Sequence, residues 1–255
     1  MSAILFPGQG SQVVGMGKEF YNNFNLVKKI FNQADEKLSY QISKIILEGP
    51  ENLLQQTQNT QPAILTVSYS IFKVFKEEFG MNLKKFKYFA GHSLGEYSAL
   101  VCAESLKFND ALFLLHERGK AMQEAVPIGK GKMIAILGMS IDDITILIKS
   151  NSKENGVCEI ANDNSNGQVI VSGDVKTVES FEDLLKAQKV KFIPLKVSAP
   201  FHCSLMRPAA EIMSDKIYKT DFKKPLVKIY SNVNAQPEDK PENIQKLLID
   251  QIKQQ

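Results

Sequence analysis

The chain opens on a short apolar run, residues 3–6, that breaks into the turn Pro7-Gly8-Gln9-Gly10. A run that short, closed by turn residues, fits a buried strand. Residues 62–79 carry helical spacing, with Pro62 placed for a first turn and Gly80 for a stop. Residues 88–90 give a second short strand that runs into Gly91-His92-Ser93-Leu94-Gly95, after which a helix is expected to about Ala103 and another over 110–125. The texture changes after Pro127. It reads as strand 133–137, helix 141–149, strands 157–161 and 168–172, helix 174–188 and strand 190–195. That order, βαββαβ, is the ferredoxin-like pattern. The chain then returns through Ser198-Ala199-Pro200-Phe201-His202 to a helix at 208–219, a strand at 227–231 and a last helix from Pro241. The expected organisation is a discontinuous large α/β domain, 1–128 with 197–255, into which a small ferredoxin-like domain, 129–196, is inserted.

Composition narrows the classes. With 255 residues, 44% of them hydrophobic and 23% charged, the chain reads as an ordinary folded protein. A formal charge of +3, with Lys and Arg scattered among Asp and Glu, is too small to imply nucleic acid. The mild basic bias would suit an anionic ligand or an acidic partner protein. Cys102, Cys158 and Cys203 fall in no metal or C-x-x-C spacing and read as free thiols in a reducing compartment. No apolar run approaches the roughly 20 residues that cross a bilayer. The first residues hold no charged leader with an apolar stretch behind it. A cytoplasmic chain without a signal peptide, membrane contact or metal is therefore expected.

Chemistry concentrates at a few positions. Gly91-x-Ser93-x-Gly95 falls between a predicted strand and a predicted helix. There the glycines permit a sharp turn that lifts a serine hydroxyl into the open, and nearby backbone N–H groups can meet an oxyanion. The alternative is a chance match in a loop. A nucleophilic serine needs a base, and the chain has 3 histidines. His92 adjoins Ser93, so its ring should point away from the hydroxyl. His116 falls beside Lys120 and Gln123 on its helix and is expected to be solvated. His202, at a domain junction, is the candidate by elimination, against the reading of a satisfied core histidine. Arg118 lies within about 60° of Ala111, Leu114, Leu115, Ala121, Met122 and Ala125 on a helical wheel, in the middle of an apolar stripe. A buried guanidinium cannot shed its charge and must meet an anion. That anion is either a structural carboxylate or a substrate carboxylate held by a bidentate clamp. The turn Gly8-Gln9-Gly10-Ser11-Gln12 fails as a phosphate loop, since Val13 replaces the third glycine and no Gly-Lys-Ser/Thr follows. It can still offer the Gln9 N–H at a fixed place.

Taken together, FPGQGSQ at 6–12, TQPAIL at 60–65, GHSLGEYSALV at 91–101, RGKAMQEAVP at 118–127, NDNSNGQVIVSG at 162–173 and SAPFHCSLM at 198–206 closely resemble the malonyl-CoA:acyl-carrier-protein transacylase family of type II fatty acid synthesis. The blocks run in family order along essentially the whole chain. The resemblance implies a large α/β-hydrolase-like domain with the ferredoxin-like insert. It also implies transfer of malonyl from malonyl-CoA to the phosphopantetheine thiol of acyl carrier protein, through an ester on Ser93. His202 is then the general base, oriented by the backbone carbonyl at Gln251, and the N–H groups of Gln9 and Leu94 form the oxyanion hole. Arg118 holds the malonyl carboxylate, with Gln61, Met122, Asn162 and Phe201 also at the substrate. Leu94 and Phe201 resemble the malonyl-selective pattern rather than the methylmalonyl-selective one. No cofactor is implied, and a monomer is expected. Family members continue for some tens of residues past the position of Gln255, so the large domain is expected to be shortened at its C-terminus. Two rivals remain. A serine thioesterase or other hydrolase would share Ser93 and His202 without needing the buried arginine. A non-catalytic acyl-CoA or carrier-binding scaffold would not require Ser93 and His202 together.

Overall fold

The computed structural model describes residues 2–150, 156–195, 197 and 199–254; Ser198, at the head of the junction segment, and the chain end at Gln255 lie outside them. The elements in chain order are β1 (Ser2–Phe6), α1 (Lys18–Asn23), α2 (Asn25–Leu38), α3 (Ile42–Glu48), α4 (Glu51–Leu54), α5 (Thr57–Glu77), β2 (Phe86–Gly91), α6 (Gly95–Cys102) and α7 (Phe108–Glu124). They continue with β3 (Gly131–Leu137), α8 (Ile141–Ser150), β4 (Cys158–Ser165), β5 (Gln168–Asp174), α9 (Val175–Ala187), β6 (Lys191–Pro194), α10 (Arg207–Tyr218), β7 (Lys228–Tyr230), β8 (Pro237–Glu238) and α11 (Pro241–Lys253). Parallel and antiparallel sheets are both present, so the class is mixed α/β. The chain divides into two compact units, Met1–Lys120 with Asp215–Leu247, and Ala121–Ser214 with Leu248–Gln255.

In the first unit the sheet order is β1-β2-β7-β8. β1, β2 and β7 run parallel, and β8 closes the edge antiparallel to β7. Phe6 pairs with Gly91 and Ala90 with Tyr230, so the turns that follow these strands leave the sheet at one end. The carboxyl ends of parallel strands are where open α/β sheets hold their ligands. Behind the sheet, Phe6, Phe72 and Phe89 meet pairwise at 5.8 to 6.3 Å between ring centroids, which pins α5 to β1 and β2. All eight residues of α6 are buried, so every polar group on that helix needs an internal partner or bears a desolvation cost.

Two features of this unit depart from the sequence pattern. α5 begins at Thr57, not near Pro62, and carries Pro62 inside it. A proline there leaves the carbonyl four residues back, that of Gln58, without its helical donor. The His116 ring supplies one: Nδ1–H donates to Gln58 O at 3.1 Å. His116 is therefore half-buried and bonded, with its ring 5.8 Å from that of Tyr40, whereas its place on the helical wheel predicts a solvated ring. In addition, four helices, α1 to α4, fill a stretch that carries no expected element. Three of these are seven residues or shorter, too short to show a period, whereas α2 does bury Val27, Ile30, Phe31 and Ala34 at helical spacing.

The second unit holds the sheet β4-β5-β3-β6, all of whose pairs are antiparallel. Its strands and helices follow one another as β3-α8-β4-β5-α9-β6. Ile134, Ile136, Ile144, Val169, Val171, Val178, Phe181 and Leu185 form its core. β4 runs on to Ser165 rather than stopping at residue 161, with register shifts between Ile160 and Asn162 and between Asp163 and Ser165. Such bulges lengthen a strand while re-aiming its side chains.

Candidate active site

The glycine elbow that carries Ser93 is built at the end of β2. A Cβ on Gly91 would lie 1.9 Å from the carbonyl carbon of Gly95, so the turn closes only on glycine. Ser93 itself sits at φ 52°, a left-handed conformation rare for a residue with a side chain. Its N–H donates to Asn232 Oδ1 at 2.7 Å, its carbonyl accepts from Glu96 N–H at 3.0 Å, and α6 starts directly behind it. The hydroxyl is not out in the open, as the motif suggested: Ser93 is 8% exposed, and Arg118 Nη2 donates to its Oγ at 3.1 Å. His92 is exposed, and its N–H donates to Phe6 O at 3.1 Å.

The turn after β1 packs against this elbow. A Cβ on Gly8 would come within 2.5 Å of His92 O, so the two loops touch backbone to backbone. Gly10 N–H donates to Gln12 Oε1 at 2.7 Å, and Gln12 Nε2 donates to Gln55 Oε1 at 2.6 Å, which holds the turn from below. Among the described residues, the N–H groups of Gln9 and Leu94 have no protein acceptor. Donors in that condition at a strand-to-helix turn suit an incoming anion.

Arg118 lies where the wheel put it. It is 1% exposed and heads the fully buried side chains by volume. Nη1 donates to Gln61 Oε1 at 2.8 Å, on the buried face of α5, and Cζ stands 5.9 Å from the centre of the Tyr97 ring. Burial pulls the guanidinium below its ordinary range, while Tyr97 and the 2%-exposed Glu96 hold it up. Burial pushes the Tyr97 hydroxyl up to about 12, with Arg118 opposing and Glu96 adding. Glu96 is thus the carboxylate whose field offsets the buried cation, so a structural counter-charge and a substrate clamp are not exclusive. Glu96 Oε2 also accepts from Asn232 N–H at 3.1 Å, and Asn232 Nδ2 donates to Gly91 O at 2.7 Å.

In the second unit His202 is 7% exposed at φ 58°. Nδ1 lies 2.7 Å from the carbonyl oxygen of Gln251 on α11. A carbonyl only accepts, so Nδ1 carries the proton and Nε2 is the basic nitrogen. The chain after His202 is anchored by Glu159, which accepts from Ser204 N–H at 2.8 Å and from Ser204 Oγ at 2.5 Å. Phe201 and Met122 are buried, and Asn162 is half-buried on β4 beside its bulge.

The first unit thus gathers Ser93, Leu94, Gln9, Arg118 and Gln61, and the second unit carries His202, Gln251, Phe201, Asn162 and Met122. Sequence reasoning missed Asn232, Glu96 and Glu159. Glu96 alone left a signal, as a carboxylate inside an apolar helix. Among the described residues there is no group of three or more His, Cys, Asp or Glu side chains placed to hold a metal, and no helix is long and apolar enough to cross a membrane.

Comparison with known proteins agrees along the chain. The malonyl CoA-acyl carrier protein transacylase of Bacillus subtilis (strain 168) is 43% identical over 251 residues, which cover 98% of this chain and 78% of that protein. Its namesake in Escherichia coli (strain K12) is 40% identical over 252 residues, with 98% and 80% covered. Among solved structures, an acyl-carrier-protein-S-malonyltransferase from Bartonella henselae superposes with a TM-score of 0.95 at 41% identity, covering 100% of this chain and 81% of that one. A type II PKS acyl-carrier protein in complex with its malonyl-transacylase contains a chain that matches with a TM-score of 0.94 at 39% identity, covering 99% and 81%. The family described as the acyl transferase domain matches residues 4–253, and the chain belongs to that family.

Proposed function

We propose that the chain moves a malonyl group from malonyl-CoA to the phosphopantetheine thiol of an acyl carrier protein, by way of a malonyl ester on Ser93. The observation that carries this reading is the buried Arg118 donating to Ser93 Oγ at 3.1 Å. It sets a permanent cation beside the nucleophile of an elbow, where an acyl group ending in a carboxylate can be recognised and one ending in a methyl cannot.

His202 Nε2 takes the Ser93 proton as Oγ attacks the thioester carbonyl, and the Gln251 carbonyl holds the ring in the required tautomer. The oxyanion forms toward the N–H groups of Gln9 and Leu94; one such donor typically lowers the barrier by about 3–4 kcal/mol. As the tetrahedral adduct collapses, His202 returns the proton to the CoA sulfur, and CoA leaves as the thiol. The carrier thiol then gives its proton to His202 and attacks the serine ester; as the C–Oγ bond breaks, His202 passes that proton to Ser93 Oγ, which restores both residues and leaves malonyl on the carrier. Throughout, the malonyl carboxylate replaces Ser93 Oγ as the acceptor of the Arg118 donors, with Gln61 setting the guanidinium plane and Met122, Asn162 and Phe201 bounding the acyl group. The chemistry asks only for a nucleophile, a base and oriented dipoles, so no cofactor enters the cycle. By sequence pattern the large domain, 1–128 with 197–255, is read as α/β-hydrolase-like, and the segment 129–196 as a ferredoxin-like insert. The working form is read as a cytoplasmic monomer.

The test is intact-mass measurement after mixing the chain with malonyl-CoA alone. One malonyl mass is gained, and the gain is abolished in Ser93→Ala. Release of CoA with no adduct would mean that water, not a carrier thiol, takes the acyl group, which is the thioesterase reading.

A further inference from the structure

Three turns meet at the carboxyl ends of the parallel strands β1, β2 and β7. The first two supply Gln9 and the 91–95 elbow; the third begins with Asn232, which the transfer mechanism leaves without a task. Asn232 nonetheless makes two bonds into the elbow and a third to the helix behind it. Oδ1 accepts from Ser93 N–H at 2.7 Å, Nδ2 donates to Gly91 O at 2.7 Å, and its own N–H donates to Glu96 Oε2 at 3.1 Å. The side-chain amide thus clamps the residue two before the nucleophile and the nucleophile itself. A φ of 52° at Ser93 costs energy that neighbouring bonds must supply. The clamp also engages Ser93 N–H, which reserves the next donor, Leu94 N–H, for the substrate oxygen.

We propose that Asn232, oriented by the buried carboxylate of Glu96, is a positioning residue that locks Ser93 in its left-handed conformation and selects the Leu94 N–H as oxyanion donor. It touches no reacting atom and acts through the Ser93 backbone. Glu96 has the right chemistry to hold it: an anion in the first turn of α6, where the helix N-terminus stabilises negative charge, and itself 2% exposed. The proposal rests on Ser93 being the nucleophile but not on malonyl being the acyl group, and the test keeps the two apart.

The full chain is labelled with a neutral alkyl fluorophosphonate. The Ser93 Oγ–P bond forms as the P–F bond breaks, fluoride leaves, and the hydroxyl proton passes to the base. Intact mass against time gives both a rate and a final labelled fraction. Asn232→Ala is expected to label to completion but about 100-fold more slowly, the effect of displacing a reacting atom by about an ångström. Glu96→Gln, which keeps an acceptor for Asn232 N–H, should lose no more than about fivefold, and Glu96→Ala should fall well below it. A purely structural role would instead lower the labelled fraction and leave the rate of the remaining chains unchanged; that result overturns the proposal. Equal rates for Asn232→Ala and wild type overturn it too, as does a wild-type chain that the probe does not label. A Glu96→Ala rate equal to wild type overturns the part assigned to Glu96. Wild-type labelling by the fluorophosphonate but not by malonyl-CoA would sink the proposed substrate while leaving the positioning result standing.

Discussion

Replacing Arg118 with Met keeps most of the side-chain volume and removes the charge. In the resting chain this deletes the Nη1 bond to Gln61 at 2.8 Å and the Nη2 bond to Ser93 at 3.1 Å, but it also relieves a fully buried cation of its desolvation cost. Yet it leaves Glu96, 2% exposed, without the cation it offsets, and removing one member of a buried pair costs about 3–5 kcal/mol. At roughly 2–4 °C per kcal/mol in a chain this large, the melting temperature should fall by about 6–20 °C, and the acylation assay is run well below it. Acylation is another matter. The malonyl carboxylate would enter a dry site with no cation opposite, and breaking such a pair costs about 3–5 kcal/mol. At 1.4 kcal/mol per factor of ten, malonylation of Ser93 should slow by about 140- to 3,700-fold. Acetyl-CoA has no carboxylate to lose, so acetylation should hold or rise, and selectivity inverts. The assay is intact mass on wild type and Arg118→Met, each given equal malonyl-CoA and acetyl-CoA and sampled over time. A parallel fall in both adducts would mean that Arg118 serves Ser93 or the fold and not the carboxylate. Undiminished malonylation would put the carboxylate elsewhere.

Other expectations follow from single contacts. His116→Leu strips the donor from Gln58 O, so the denaturant midpoint should fall by an amount corresponding to about 1–3 kcal/mol while the malonylation rate stays put. A midpoint equal to wild type would show that the carbonyl freed by Pro62 finds another donor. Glu159→Ala removes the acceptor for both Ser204 N–H and Ser204 Oγ, and urea unfolding should register a loss of about 2–3 kcal/mol. A change near zero would mean that the segment after His202 holds itself. Burial raises the Cys203 thiol to about 11 and the Cys158 thiol to about 12, from an ordinary 9.0. The folded state favours the neutral thiols, so their contribution is whole below pH 9 and is lost as pH climbs through 11 to 12. Unfolding free energy measured from pH 8 to 11 should decline, and the decline should shrink in a Cys158→Ala/Cys203→Ala chain. The same slope in both chains would contradict this.

Legibility tracked burial and period. The second unit reads well because its core alternates along strands and recurs at helical spacing: Ile134 and Ile136 on β3, Val169 and Val171 on β5, Val178, Phe181 and Leu185 on α9. The stretch holding α1 to α4 did not read because α1, α3 and α4 are too short to complete a pattern, and the start of α5 was lost to its polar first turn. Thr57, Asn59, Thr60 and Gln61 look like loop residues but are buried, with Thr60 Oγ1 donating to Leu54 O at 2.6 Å and Asn59 Nδ2 to Leu53 O at 2.9 Å. Side chains that satisfy backbone groups at a helix start are invisible to a hydrophobic pattern.

The same logic divides the site. Arg118 was legible because it violates its surroundings: a charge in an apolar stripe demands a counter-ion on sequence grounds alone. Ser93 was legible because the glycines around it are a steric demand, one that the 1.9 Å approach at Gly91 makes concrete. Asn232 violates nothing. An asparagine two residues past a short strand is ordinary turn chemistry, and its bonds to the elbow span 139 and 141 residues of sequence. A residue announces itself in sequence when its chemistry conflicts with its local pattern. One whose chemistry suits its own loop, and whose partners lie in another, becomes visible only when β2 and β7 are laid side by side.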